Sequence, residues 1–274
     1  MNVLFLKRLL HGAIVPLAAL ALWQMLAAFG WINPQILPSP VQVMRKWFEY
    51  LSPMEAYAPE QGNYLVWLVS GELPHDAWAS LTRVIGGFVI GAGLALPLGL
   101  LMGANQTIYK LFDPLLQILR PIPPIAYIPL AILWFGLGNP PAFFLISIGS
   151  FFPVLMNTIA GVRQVDGIYL RAARNLGAGQ MTMFRRVILP AATPYILSGA
   201  RIGMGTAFIV VIVAEMIAVN NGLGFRILEA REYFWSDKII AGMFTIGFFG
   251  LAIDTAMNAL NNHLLKWHRG LEHN

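Results

Sequence analysis

Cysteine is absent from the 274-residue chain, which excludes a disulfide framework and any thiolate metal site. Charge is scarce as well. Its 18 Lys and Arg and 13 Asp and Glu make up 11% of residues, against roughly 25% in soluble globular domains. The five histidines (His11, His75, His263, His268 and His273) show no metal-ligand spacing. No G-x-x-x-x-G-K-S/T phosphate loop occurs, so the chain is not expected to hydrolyse a nucleotide itself. Nor does it contain a paired-His motif, a nucleophile–base constellation or a metal ligand set, which argues against a membrane-embedded enzyme. What fills the space is apolar: 57% of residues are hydrophobic and the mean hydropathy is +0.65. The chain is therefore expected to be an all-α, polytopic membrane protein. In that setting a sequence pI near 9.6 reads as basic cytoplasmic loops and not as a nucleic-acid surface.

The runs long enough to cross a hydrocarbon core of roughly 30 Å predict six spans: residues 9–30, 77–103, 121–138, 142–162, 195–219 and 239–265. The first follows Lys7 and Arg8 and reads as a retained helix, because no small-residue cleavage site follows it. Prolines 34, 38 and 40 end it. Residues 41–51 then predict an amphipathic helix with Val41, Met44, Trp47, Phe48 and Leu51 on one face, lying along the outer surface. An acidic loop to Asp76, with Glu55, Glu60 and Glu72, leads into the second span. There Gly87/Gly91 and Gly99/Gly103 are spaced for close helix approach, as are Gly199, Gly203 and Gly205 in the fifth. Pro121, Pro123, Pro124 and Pro129 cannot sit in one straight helix. Irregular backbone at membrane depth is tolerated where it is buried in protein or lines a cavity, so this segment with Tyr127 is a candidate for a translocation pathway or a plain proline-kinked helix.

The stretch from Tyr169 to Arg201 carries Arg171, Arg174, Arg185 and Arg186 and no acidic residue. A helix over 169–176 is expected to stop at Gly177, where glycine takes the left-handed conformation that ends helices. A second amphipathic run, 180–189, is expected to stop at Pro190. The pattern Ala172-Ala173-x-x-x-Gly177-Ala178, then Phe184, Val187, Leu189-Pro190, Pro194 and Gly199, resembles the EAA loop of ATP-binding-cassette (ABC) importer permeases, with Arg171 where that family has a Glu. The Arg120-Pro121-x-Pro123-Pro124-x-Ala126 run with Trp134-Phe135-Gly136, and the glycine-rich turn Asn220 to Phe225, resemble the nitrate/sulfonate/taurine branch. The resemblance implies a type I (MetI-like) importer permease fold with both termini inside. It implies a docking element for a cytoplasmic ATPase built on Tyr169, Arg171, Ala172, Ala173, Arg174, Leu176, Gly177, Ala178, Met181, Phe184 and Pro190. It also implies two ATPase copies with ATP and magnesium bound on them and none on this chain, an extracytoplasmic binding protein, and a second, identical permease copy in a bacterial inner membrane. The cargo of that branch is a small anion, with uncharged or heterocyclic nutrients among close relatives.

Charge supports the orientation. Lys7, Arg8, Lys110, Arg120, Arg163, Arg171, Arg174, Arg185, Arg186, Arg201, Lys266 and Arg269 fall on the proposed inside. Arg45, Lys46, Arg226, Arg231 and Lys238 fall outside, so the bias places residues 163–193 in the cytoplasm. Residues 1–76 read as an N-terminal helix with its outer segment, and 77–274 as a five-helix core. Within the spans only Arg83, Glu215 and Asp254 are expected to be charged. Arg83 and Glu215 are pathway candidates, Arg83 as positive charge for an anion, or partners that pair across helices. A different class, an ion-coupled carrier using Glu215 and Asp254, stays open at this point.

Overall fold

The computed structural model describes residues 3–31, 33–54, 64, 67 and 70–265, with the side chains of 3–13 outside the description. Glu55 and Glu60 of the acidic loop, and Lys266 and Arg269 of the basic tail, lie outside the described residues. Among the described residues the chain is helical: α1 Val3–Ala28, α2 Pro40–Leu51, α3 Glu72–Ala104, α4 Gln106–Leu119, a 3₁₀ turn Pro124–Tyr127, α5 Ile128–Phe135, α6 Asn139–Arg163, α7 Gly167–Asn175, α8 Gln180–Ala218, α9 Leu223–Glu232 and α10 Ser236–Leu264. Four of these are long and apolar enough to cross a membrane, α3, α6, α8 and α10; α4 with Pro124–Phe135, bent by 83°, passes the same test only as a pair. A shorter apolar helix, Ile14–Ala28, precedes them.

Three elements differ from the sequence expectation. The 121–138 segment is not one rod. Its straight part, α5, has 8 residues and at 1.5 Å per residue is far too short to span a bilayer. The prolines end α4 and start the 3₁₀ turn, as their missing donors require. Pro190 does not stop a helix. A π-helical turn, Phe184–Ile188, widens the coil just before it, where proline has no N–H for the preceding turn, and α8 runs on to Ala218. In α2 the inward face is Val43, Trp47 and Tyr50, while Val41, Met44 and Phe48 are exposed. The reason is polar: Trp47 Nε1 donates to Thr245 Oγ1 at 2.8 Å and the Tyr50 hydroxyl to Asp76 Oδ2 at 3.4 Å.

The chain forms two compact units. The smaller comprises Met1–Ala77 and Arg226–Gly247. In it α2 is started by a capping box, Ser39 Oγ accepting from Gln42 N at 3.3 Å and Gln42 Oε1 from Ser39 N at 2.8 Å. The larger comprises Trp78–Phe225 and Phe248–Asn274, and α6 is its centre. Half of α6's most apolar stretch is buried. Its residues Leu145, Ile146, Val154, Leu155 and Ile159 anchor both apolar clusters of the unit. The small residues expected to allow close approach do so. A Cβ on Gly87 or Gly103 of α3 would lie 2.6 Å from the Cβ of Ile146 or Val162 of α6. On α8, one on Gly199 would lie 2.6 Å from Asn157 Cβ and one on Gly203 2.9 Å from Val154. Gly205 is the exception, with nothing within 4 Å.

This packing makes a contrast that can be measured. A Cβ on Gly91 would overlap Ser150 Oγ and the Ser147 carbonyl, whereas one on Gly93 meets nothing within 4 Å. Gly91→Ala is expected to destabilise by about 1–3 kcal/mol, the range for overpacking, and to lower the yield of monodisperse protein after detergent extraction. Gly93→Ala leaves the yield unchanged. Equal yields would show that α3 and α6 are not packed at this distance.

Candidate coupling surface and buried charge clusters

The elbow between α7 and α8 is built from local rules. Asp166 caps α7, its Oδ1 accepting from Ile168 N at 2.8 Å. At the other end Gly177 N donates to the Arg174 carbonyl at 2.9 Å and Ala178 N to the Ala173 carbonyl at 3.0 Å. Together these form a Schellman closure, and Gly177 occupies its left-handed position at φ +78°. A Cβ there meets nothing within 4 Å, so conformation and not space calls for glycine. The closure turns side chains outward. Tyr169, Arg171, Ala172, Arg174, Leu176 and Met181 are exposed, while Ala173, Ala178, Phe184 and Pro190 are half-buried. Leu176 is 88% exposed. Large apolar side chains held open beside four exposed arginines (171, 174, 185 and 186) make a surface suited to another protein.

Arg83 and Glu215, expected on separate spans, form one buried cluster. Arg83 Nη1 donates to Glu215 Oε1 at 2.7 Å, and the side chains are 4% and 0% exposed. Glu215 Oε2 accepts from Ser80 Oγ at 2.9 Å and from Gly224 N at 3.0 Å. Ser80 Oγ in turn accepts from Leu223 N at 3.0 Å. The rest of the guanidinium goes to Asn139 Oδ1 at 2.8 Å, the Asn221 carbonyl at 3.0 Å and Asn221 Oδ1. The glycine-rich turn thus wraps a carboxylate. At Gly222, φ is +107° and a Cβ would lie 2.5 Å from Glu215 Oε1. Four of the five guanidinium N–H donors of Arg83 are thus engaged within the chain, in a pair across helices. Ser80 and Asn139 carried no signal in the sequence, and Asn221 stood there only as part of the glycine-rich turn. Their roles follow from which helices are neighbours.

The proline candidates sit elsewhere. Pro121, Pro123 and Pro129 are exposed and Pro124 is half-buried; Tyr127 packs on the cluster around Ile146 and Val210. Among the described residues no hydrogen bond or ion pair joins them to Arg83 or Glu215.

Two further charge placements differ from expectation. Arg201, counted among the inside charges, lies on the apolar part of α8 and pairs with Asp254. In the smaller unit Glu72 and Asp76 belong to α3 and not to a loop. Arg226 bridges Asp76 at 2.5 Å, Glu72 at 2.6 Å and Glu229 at 2.9 Å, and Lys238 reaches Glu72 at 3.0 Å. Burial, then the Asp76 and Glu72 carboxylates, push the Tyr50 phenol above its ordinary range. For Arg226 burial acts to lower the pKa, and hydrogen bonds to Asp76 and Glu229 outweigh it, so the net shift is upward.

Among the described residues no group of three or more His, Cys, Asp or Glu could hold a metal.

The chain is 35% identical over 249 residues to the taurine transport system permease protein TauC of Escherichia coli K12, covering 91% of this chain and 86% of that one. It is 32% identical to the nitrate import permease protein NrtB of Synechocystis sp., covering 93% and 88%. Among solved structures, a chain of the MetNI methionine ABC transporter in inward-facing conformations superposes with a TM-score of 0.61 at 19% identity, covering 68% of this chain and 93% of that one. That likeness speaks to the fold, which is the MetI-like all-helical permease fold. The family model for the inner membrane component of binding-protein-dependent transport systems matches residues 95–269. Taken with the apolar helices and the elbow, it shows that this multi-pass membrane protein belongs to the binding-protein-dependent transport system inner membrane component family of ABC permeases.

Proposed function

We propose that the chain is the membrane subunit of an ATP-driven importer and forms the translocation pathway for a small, anionic nutrient of the nitrate, sulfonate or taurine kind. An extracytoplasmic binding protein delivers the nutrient. The observation that carries this reading is the α7–α8 elbow. It is closed by two hydrogen bonds at Gly177, carries exposed Tyr169, Leu176 and Met181, and is rimmed by arginine. A cytoplasmic ATPase groove receives it, and the excess of Lys and Arg on the proposed inside supports that side for it. The chain adds no chemistry of its own. Nucleotide and magnesium are held by two ATPase copies, whose closure tilts α7 and, through the continuous helix α8, moves the path between inward and outward access. Two identical permease chains in a bacterial inner membrane match the paired ATPase. The names of the TauC and NrtB relatives support the substrate class.

The ion-coupled alternative has less support. Glu215 is engaged by Arg83, Ser80 and Gly224 N, and Asp254 is held by Arg201, so each carboxylate already has its partners within the chain. Uptake of labelled taurine or nitrate into vesicles containing the permease, its ATPase and the loaded binding protein is expected to need ATP and to survive a protonophore. Loss of uptake on adding the protonophore, with ATP present, would favour the ion-coupled carrier.

A further inference from the structure

Arg201 is the one charged side chain on α8 between Arg186 and Glu215, and Asp254 the one on α10 between Lys238 and His263. The two meet in a fork-to-carboxylate pair, Nε to Oδ1 at 2.8 Å and Nη2 to Oδ2 at 2.9 Å. Helices α8 and α10 touch close by, a Cβ on Gly250 lying 3.3 Å from Phe208. Yet the pair is not covered: the side chains are 40% and 49% exposed. This is the reverse of the Arg83–Glu215 cluster, which every neighbour closes. Among the described residues nothing accepts a hydrogen bond from Arg201 Nη1. One turn along the same face of α8, the Cβ position of Gly205 has nothing within 4 Å, so the helix is open at that turn as well.

Charged side chains on membrane-spanning helices are not left facing acyl chains. They face a wet cavity or another protein surface. We propose that the Arg201–Asp254 pair faces the water-lined path and is a receptor point for a small zwitterion bearing an oxyanion and an ammonium group. The inference rests on the permease reading above and narrows its substrate class. The guanidinium fork already holds two carboxylate oxygens, the geometry that a sulfonate or carboxylate of a substrate would take over. A simple anion that takes the fork strands the Asp254 carboxylate, unpaired and repulsive. A zwitterion exchanges partners on both sides: its oxyanion replaces Asp254 on Arg201, and its ammonium replaces Arg201 on Asp254. Charge is then balanced with the pair closed or open, which lets the substrate pass without leaving a bare ion in the membrane.

The natural lack of cysteine makes the test direct. Gly205→Cys is introduced into the full-length permease, purified with its ATPase in lipid nanodiscs, and labelled with 2-sulfonatoethyl methanethiosulfonate, the permease being read by mass spectrometry. Labelling is expected. Taurine is expected to protect, slowing the reaction about tenfold at ten times its half-protecting concentration by mass action. Ethanesulfonate, which lacks the ammonium, and ethylamine, which lacks the sulfonate, leave the rate unchanged. Arg201→Gln and Asp254→Asn each abolish the taurine protection while the complex elutes as wild type on size exclusion. Protection by ethanesulfonate equal to that by taurine overturns the zwitterion assignment in favour of an anion site. No labelling, which means that lipid or a second permease copy covers the pair, overturns the placement on the path, as does labelling that no probe slows. Failure of the permease reading is scored separately on the same sample, as absence of the ATPase from the purified complex.

Discussion

Gly177→Asp inserts in the membrane at near-normal levels and fails to retain the ATPase subunit, or retains it with hydrolysis that loaded binding protein no longer stimulates. The elbow lies outside the apolar helices, so no span is altered. A Cβ at Gly177 meets nothing within 4 Å of the chain itself, so the folded permease has room for the new side chain. What it lacks is a comfortable backbone: a left-handed L-residue costs roughly 1–2 kcal/mol. That strain is levied on the Schellman closure, whose two hydrogen bonds end α7 beside the exposed Leu176. The added carboxylate then enters the protein contact without a partner, a further penalty of about 1–3 kcal/mol or more for a charged group. Gly177→Ala carries the strain alone and is expected to weaken retention without abolishing it. Arg171→Ala is milder again, since an exposed ion pair contributes about 0–1 kcal/mol. Pull-down of the ATPase and ATP hydrolysis in the presence of loaded binding protein measure the series. Wild-type values for Gly177→Asp in both assays would remove the elbow from the coupling path.

Arg83→Ala is expected to be the most damaging single change to the fold. It leaves Glu215 charged, fully buried and stripped of its cation, a situation that costs about 3–5 kcal/mol. Whole-domain stability is about 5–15 kcal/mol, so the yield of monodisperse protein after extraction should fall to a small fraction of wild type. Glu215→Gln is gentler because an amide still accepts from Ser80 and Gly224 N. The double change Arg83→Met with Glu215→Leu removes both charges and is expected to recover part of the loss. Recovery stays incomplete because Ser80, Asn139, Asn221 and the amide of Gly224 lose their partners in the pair. Thermal unfolding followed by size exclusion ranks the four proteins. An Arg83→Ala permease as abundant and heat-resistant as wild type would mean that the turn after α8 is held by something other than this cluster.

These two experiments separate two kinds of information in the chain. The elbow was legible in the sequence because its causes are local. A Schellman closure links residues five apart, and the need for a left-handed residue falls on one position, Gly177. The broken backbone at Pro121 to Pro129 is local in the same sense. So is the small-residue spacing of Gly87, Gly91, Gly99 and Gly103, which announces close contact without naming the partner helix. Pro190 misled because proline's effect depends on the turn before it. A π turn absorbed the missing donor, and the helix went on.

Composition and periodicity by themselves determined that this is a helical membrane protein, and the residues of the elbow determined its family. The partners of its charges were decided only by tertiary structure. Arg83 meets Glu215 across 132 residues and Arg201 meets Asp254 across 53, and nothing within a helical turn of either reveals the other. The face that α2 buries was likewise decided by Asp76 and Thr245, which hydrogen-bond Tyr50 and Trp47. The physical reason is the range of the forces. Backbone sterics and capping act over a few residues and are written where they act. The cost of an unpaired charge away from water is met by whichever group the fold brings within about 3 Å, the hydrogen-bonding distance, and only the packed helices select that group.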